Sequence, residues 1–189
     1  MSNLGSVSRL IHLNGPPGVG KSTMARRYVS AHPGVLNCDI DVMRSLVGGW
    51  RDDFVGAGAA IRPAVLAMIR EYLADGRDVV LPQMLVDPVE LERFEGAAHA
   101  AGAEFVERFL MDTRDATVAR FHRRGANAAS DPWHHQVREI VARDGGDEVL
   151  RRCHDGLERL LARRPRAVVI GSVEGAEDET YEALAASLG

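Results

Sequence analysis

Apolar and polar positions switch between two periods along the chain, and the period decides which element each segment can form. Residues 8–14 (SRLIHLN) are an apolar run of strand length, and residues 21–31 read as the helix that follows. Residues 35–40 (VLNCDI) predict a second strand. From about Ile61 the side chains of Ile61, Val65, Met68, Ile69, Tyr72 and Leu73 recur at helical spacing, and Gly76 stops that helix. Residues 78–83 (DVVLPQ) predict a third strand, with Pro82 set against its last residues because proline has no ladder donor. Asp87-Pro88-Val89-Glu90 reads as a helix start in which Asp87 caps, Pro88 takes the first position and Glu90 completes a capping box. Residues 104–111 predict a fourth strand, and a helix runs from 113 to about 124. Residues 125–131 are small and polar and read as a mobile loop, after which Asp131-Pro132 opens another helix. Val149, Leu150, Cys153, Leu157, Leu160 and Leu161 mark a further amphipathic helix, residues 166–172 a fifth strand, and Tyr181, Leu184 and Leu188 a closing helix. Strands alternating with helices predict an α/β fold of three layers, a five-stranded parallel sheet with helices on both faces.

Composition narrows the picture. With 189 residues and 46% hydrophobic content the chain has material for one buried core, so a single domain over residues 1–189 is expected. Disorder is excluded by the same content, and no apolar run is long enough to span a membrane. The first nine residues lack a basic stretch followed by an apolar one, so no signal peptide and a cytoplasmic location are expected. A net charge of −4 argues against a general nucleic-acid binder. Cys38 and Cys153 are too few for a disulfide framework and both read as buried thiols. His122, His134, His135 and His154 show no metal-ligand spacing and read as surface or packing residues. Of the 23 basic residues every one is Arg except Lys21. A lysine surviving in so Arg-rich a chain suggests a place where a compact ammonium is needed and a planar guanidinium does not fit.

Lys21 closes a motif. Gly15-Pro16-Pro17-Gly18-Val19-Gly20-Lys21-Ser22 fits G-x-x-x-x-G-K-[ST], between a predicted strand and a predicted helix. Glycines let successive N–H groups curl round an anion, and the helix N-terminus adds a favourable dipole. Lys21 then reaches the β- and γ-phosphates of a nucleotide, Ser22 can ligate Mg²⁺, and Thr23 follows it into the first helical turn. A plain Gly-Pro turn before a helix is the alternative reading. Asp39 and Asp41 come next, at the C-terminal end of the second strand, the edge where open parallel sheets bind ligands. If the strand persists they share one side. Asp41 can accept a proton from a hydroxyl, and Arg44 can hold an anionic group. The plainer alternative is Asp41 as a helix cap with Arg44 in solvent. Arg120 and Arg124 share a helix face at i, i+4, where an anion would relieve their repulsion; a solvated basic helix end, favourable to the helix dipole, is the plainer alternative.

The loop followed by Asp41-x-x-Arg44 resembles the small P-loop kinases that include gluconate kinase, chloramphenicol phosphotransferase and the kinase half of polynucleotide kinase, all built like adenylate kinase. The resemblance implies a P-loop NTPase fold with a short helical lid over about residues 120–135, and ATP with Mg²⁺ as cofactors. It implies that Gly15, Pro16, Pro17, Gly18, Val19, Gly20, Lys21, Ser22 and Thr23 bind the nucleotide. It makes Asp41 the base or hydroxyl anchor and Arg44 a substrate ligand. It gives one lid arginine to the adenine, here Arg120, and one to the phosphates, here Arg124 with Arg123 as competitor. Lys21, Asp41 and Arg124 are thus the candidate catalytic residues, and Asp39, Arg44 and Gln83 the candidate substrate contacts. The third strand ends in VVLPQML without the Asp expected of a Walker B carboxylate, so Mg²⁺ would rely on Ser22, waters and Asp39. With Lys21 the sole lysine, a guanine-reading Asn-Lys-x-Asp cannot exist, which favours ATP over GTP. The expected partner is a small hydroxylated acceptor such as a sugar acid, a nucleoside or an antibiotic, with neither membrane nor nucleic acid, in a monomer or homodimer. Residues 54–73 and 83–87 are expected to shape the acceptor pocket, with Trp50 and Trp133 flanking it. A regulatory nucleotide-binding module or NTP hydrolase without an acceptor is the rival reading.

Overall fold

The computed structural model describes residues 7–127 and 132–189, without the side chains of residues 125–127, 132 and 133. Five strands, β1 (Arg9–Asn14), β2 (Leu36–Asn37), β3 (Val79–Leu81), β4 (Glu104–Met111) and β5 (Val168–Gly171), form one sheet in the order β2-β3-β1-β4-β5. Every pairing is parallel. The helices are α1 (Lys21–Ala31), α2 (Ile40–Arg44), α3 (Phe54–Ala74), α4 (Pro88–Ala100), α5 (Arg114–Asn127), α6 (Pro132–Arg143), α7 (Asp147–Leu161) and α8 (Glu177–Leu188). Parallel strands need crossovers, and the crossovers put helices on both faces.

Two buried clusters sit on opposite sides of the sheet. On one, Val65, Ile69 and Leu73 of α3, Leu91 and Phe94 of α4, and Leu157 and Leu160 of α7 pack on Leu10, Val79, Leu81 and Phe109. On the other, Met24, Ala25 and Tyr28 of α1 and Leu184 and Leu188 of α8 pack on Ile11, Leu13, Val80, Leu110 and Ile170. Leu10 and Ile11 thus face opposite ways, as the two-residue period of a strand demands. A third, smaller cluster of Val118, Phe121, Val141 and Leu150 joins α5, α6 and α7 above the sheet.

The structure corrects several boundaries. The second strand is cut to two residues because Asp39 turns the chain: its side chain accepts the Asp41 N–H at 3.1 Å and caps α2. Asp39 and Asp41 are therefore not strand neighbours on one face, and the cap is Asp39, not Asp41. β3 stops at Leu81, just before Pro82. α3 begins at Phe54, where the Asp53 side chain accepts the Gly56 N–H at 2.8 Å, and it carries Pro63 inside. Asp87 caps α4 by accepting the Val89 N–H, but Glu90 closes no capping box; it is paired with Arg62 of α3 and Arg93. α5 continues through Asn127, so the first residues of the predicted loop are helical, while 128–131 lie outside the described residues. Cys38 is buried and its thiol is pushed up to about 12 by burial, whereas Cys153 is only half-buried. Among the described residues no helix is long and apolar enough to cross a membrane.

Candidate active site

The loop between β1 and α1 is shaped by glycines. Gly15, Gly18 and Gly20 all have positive φ, at 145°, 83° and 103°. A Cβ on Gly15 would meet the Leu110 carbonyl oxygen at 2.3 Å, and one on Gly18 would meet the Phe121 Cα at 3.3 Å. The loop is thus clamped between β4 and α5, with no room for a side chain at Gly15 and little at Gly18. Val19 is buried beneath it, and its carbonyl accepts the Ser172 hydroxyl at 2.7 Å. Lys21 Nζ folds back over the loop and donates to the carbonyls of Gly15 at 2.8 Å and Pro16 at 2.9 Å. Burial pushes the ammonium down to about 8, against the pull of Asp41 and Asp39. A half-buried cation hydrogen-bonded only to neutral carbonyls has spare charge, and an anion in the loop would meet it.

The loop floors a cleft of about 440 Å³ at the C-terminal edge of the sheet. Pro17, Gly18, Gly20, Lys21 and Ser22 line one wall, and Asp39, Asp41, Arg44 and Gln83 line the other, with Arg124 at the rim. The structure therefore brings both candidate carboxylates, Arg44, Gln83, Ser22 and Arg124 to one cavity. Asp41 has about a third of its side chain exposed (32%), yet the protein around it disfavours its charge. Burial raises its carboxyl to about 6, with Arg44 and Lys21 opposing and Asp39 assisting the rise. Arg44 is buried, so it does not lie in solvent. Its guanidinium stacks 4.1 Å from the Phe54 ring centroid and comes within 3.9 Å of Asp41 Oδ1.

The three arginines of α5 separate. Arg120 donates to the Ser172 carbonyl at 2.7 Å, and a Cβ on Gly20 would lie 3.2 Å from its Nη2. It therefore sits over the phosphate loop. Arg123 points away, paired with Glu174 in solvent. Arg124, exposed, lines the cleft. Trp50 lies beside Arg51, 5.0 Å from its guanidinium, and does not line the cleft; the Trp133 side chain lies outside the described residues.

Several residues that shape this site are not named as site candidates by the sequence, although Phe54 and Met84 fall in the segments 54–73 and 83–87 expected to line it. Gly58 of α3 leaves the notch that the Arg44 guanidinium occupies: a Cβ there would meet Nε and Nη2 at 2.9 Å. Phe54, Met84, His134, Val137 and Ile140 also line the cleft, together with Phe121, which backs Gly18 of the loop. His134 is buried with its ring 5.3 Å from that of Phe121, so the packing reading holds for it, but at the cleft. Two polar side chains of β1 fix the far wall. His12 Nε2 lies 2.8 Å from the Gln83 carbonyl, and burial pushes this imidazole down to about 4, so it is neutral and Nε2 donates. Asn14 donates to the Leu85 carbonyl at 2.9 Å while its Oδ1 accepts the Leu85 N–H at 3.1 Å and that of Gly15 at 2.9 Å. One amide thus ties the phosphate loop to the segment carrying Gln83. A polar pattern inside an apolar strand was the available signal for both.

Residues 10–144 match the profile of a family described as an AAA domain. The chain belongs to that family. The matched span includes the phosphate loop, the Asp39–Arg44 turn and the α5 arginines. No curated protein sequence matches the chain. Solved structures of the same fold include a gluconokinase from Sinorhizobium meliloti 1021, 20% identical over 97% of this chain and 95% of its own, with a TM-score of 0.59. A candidate kinase from Chloroflexus aurantiacus j-10-fl is 15% identical over 96% of each chain, with a TM-score of 0.69. The tunicamycin resistance protein of Deinococcus radiodurans is 16% identical over 96% of each chain, with a TM-score of 0.59. This AAA-domain chain therefore shares the P-loop α/β fold of these proteins from end to end.

Proposed function

We propose that the protein is an ATP-dependent kinase that transfers the γ-phosphoryl group to a hydroxyl of a small molecule. The observation that carries this reading is the placement of Asp41 across one cleft from Lys21, with the carboxyl raised toward neutrality by burial. A switch needs the phosphate wall alone, and a hydrolase needs beside it only a group that orients water. A carboxylate at the opposite wall, beside a positioned arginine and an apolar surface, suits a second substrate. The gluconokinase of the same fold supports a small acceptor.

In this reading the loop N–H groups and Lys21 bind the β- and γ-phosphates, and Lys21 exchanges its two carbonyl partners for phosphate oxygens. Ser22 with Asp39 and waters would hold Mg²⁺, which supplies charge neutralisation between the phosphates. Both side chains line the cleft, and the Asp39 carboxylate stands in for the Walker B group that β3 lacks. Arg120 lies over the nucleotide and Arg124 faces the transferring group. Asp41 accepts the hydrogen bond of the acceptor hydroxyl and orients it in line, and Arg44 and Gln83 hold the rest of the acceptor. A carboxyl near 6 is well matched to proton transfer at neutral pH. The segment over about 120–135 would act as the lid of a single domain, in a cytoplasmic monomer or homodimer.

The test is ADP release from ATP and Mg²⁺ in the presence of sugar acids, nucleosides and hydroxylated antibiotics. The expected result is stimulation by one of these classes, at least about tenfold over the acceptor-free rate. ATP binding without stimulation by any acceptor would favour the regulatory ATPase or hydrolase.

A further inference from the structure

Away from the cleft, α7 holds a group of side chains that phosphoryl transfer does not use. His154, Asp155 and Glu158 each offer one ligand atom, and these atoms all lie within 4.8 Å of one another. No other group of three such side chains is so placed among the described residues. Sequence spacing alone does not single it out, because Asp155 follows His154 directly and only the i, i+4 pair shares a helix face.

His154 supplies the decisive observation. Its side chain is only 6% exposed, and its Nε2 lies 2.9 Å from the Asp112 carbonyl at the turn between β4 and α5. A carbonyl can only accept, so Nε2 carries the proton. Nδ1 is buried without a hydrogen-bond partner, and the nearest carboxylate oxygen, Glu158 Oε1, is 3.9 Å away. An imidazole oriented by a backbone carbonyl through one nitrogen, with the other left bare toward carboxylates, is how proteins prepare a histidine for a metal. The three side chains border a hollow of about 590 Å³, shared with Met111, Thr113 and Arg114.

We propose that His154 Nδ1 and the carboxylates of Asp155 and Glu158 form a binding site for one divalent transition-metal ion of the Zn²⁺ class, separate from the Mg²⁺ of the phosphate cleft. One imidazole nitrogen, two carboxylate oxygens and water in the open positions suit Zn²⁺ or Co²⁺, whereas Mg²⁺ keeps to oxygen ligands. Arg114 Nη1 lies 3.4 Å from Asp155 Oδ1 in an exposed pair, and a dication displaces so weak a partner. Because His154 is bonded to the turn that begins α5, the ion stiffens the base of the helix that carries Arg120 and Arg124.

The test titrates the tag-free, chelator-treated chain with Zn²⁺ by calorimetry, with Co²⁺ absorption as the second readout. The expected result is one ion per chain, bound at least about tenfold more weakly in Glu158→Gln and in Asp155→Asn, with Mg²⁺ unable to compete. Both carboxylates are substantially exposed (37% for Asp155, 61% for Glu158), so neither variant endangers the fold. His154→Gln should abolish binding, and the two carboxylate variants carry the test should it fail to fold. Absence of one-to-one binding in the unmutated chain would overturn the proposal. So would affinity unchanged in both carboxylate variants, which would assign the ion to other histidines.

Discussion

The two walls of the cleft are built by different means. The phosphate wall is one contiguous stretch, Gly15 to Ser22, whose shape comes from backbone conformation: three positive-φ glycines and a lysine tied to its own loop. The opposite wall is assembled from α2, the start of α3, the segment after β3 and α6, and its shape comes from side chains: Arg44 on Phe54 in the Gly58 notch, with Met84, His134 and Val137 also in the lining. A wall made of backbone tolerates few sequences and leaves a spaced motif. A wall made of side chains can be lined in many ways, so it can change its ligand while the fold stays fixed. Variants on the two sides should accordingly fail in different ways.

The largest effect should come from the phosphate wall. Lys21→Arg keeps the charge but replaces a compact ammonium in a buried niche with a wider planar group. Transfer should fall by roughly 10³ or more, in the range of a lost phosphate-stabilising cation, with the unfolding midpoint little changed. Near-full activity would mean that the lone lysine is an accident of composition.

On the opposite wall, the proposed site of the acceptor, Gly58→Ala should act through Arg44. The added methyl sits 2.9 Å from the guanidinium and must displace it from Phe54 and Asp41. The acceptor KM should rise by roughly tenfold, the scale of one displaced polar contact, while ATP affinity stays the same. An equal loss for both substrates would show that the walls are not independent.

How much of this was legible in the chain follows the same division. The phosphate loop, α1 and β4 could be read to the residue, because a motif or an uninterrupted pattern defines them. The five parallel strands followed from alternation. The Asp39 turn was missed, because the apolar run through Ile40 looks like strand until a side-chain cap outcompetes the ladder. Asp39, Asp41, Arg44 and Gln83 could be named as candidates from their place at strand ends, but their geometry could not. The roles of Gly58, Phe54, His12 and Asn14 depend on contacts between residues 10 to 71 positions apart, so even the polar pattern of β1 does not say what His12 and Asn14 hold.

The smallest effect is on stability. The folded state raises the Asp41 carboxyl from 3.8 to about 6, so between those values it holds protons that the unfolded chain has released. Stability contributed by this group is present below about pH 4 and is lost as pH rises through about 6. Asp41→Asn should remove that loss and be more stable than the parent chain at pH 7 by about 1 kcal/mol, a figure reduced for the partial exposure of the side chain. Urea melts at pH 4 and pH 7 check it: the difference between the two chains should grow with pH, and a constant difference would contradict the raised carboxyl.

Transfer as proposed needs one wall to bind the nucleotide and the other to position a second substrate. Measuring ATP affinity and acceptor-stimulated ADP release side by side in the parent chain and in Asp41→Asn separates the two roles. ATP affinity should stay unchanged to within about twofold while stimulated release falls by roughly 10² to 10⁴, the contribution of a positioned acid–base group. Equal stimulated rates in the two chains, or an ATP affinity that falls in step with the rate, would contradict that division of roles.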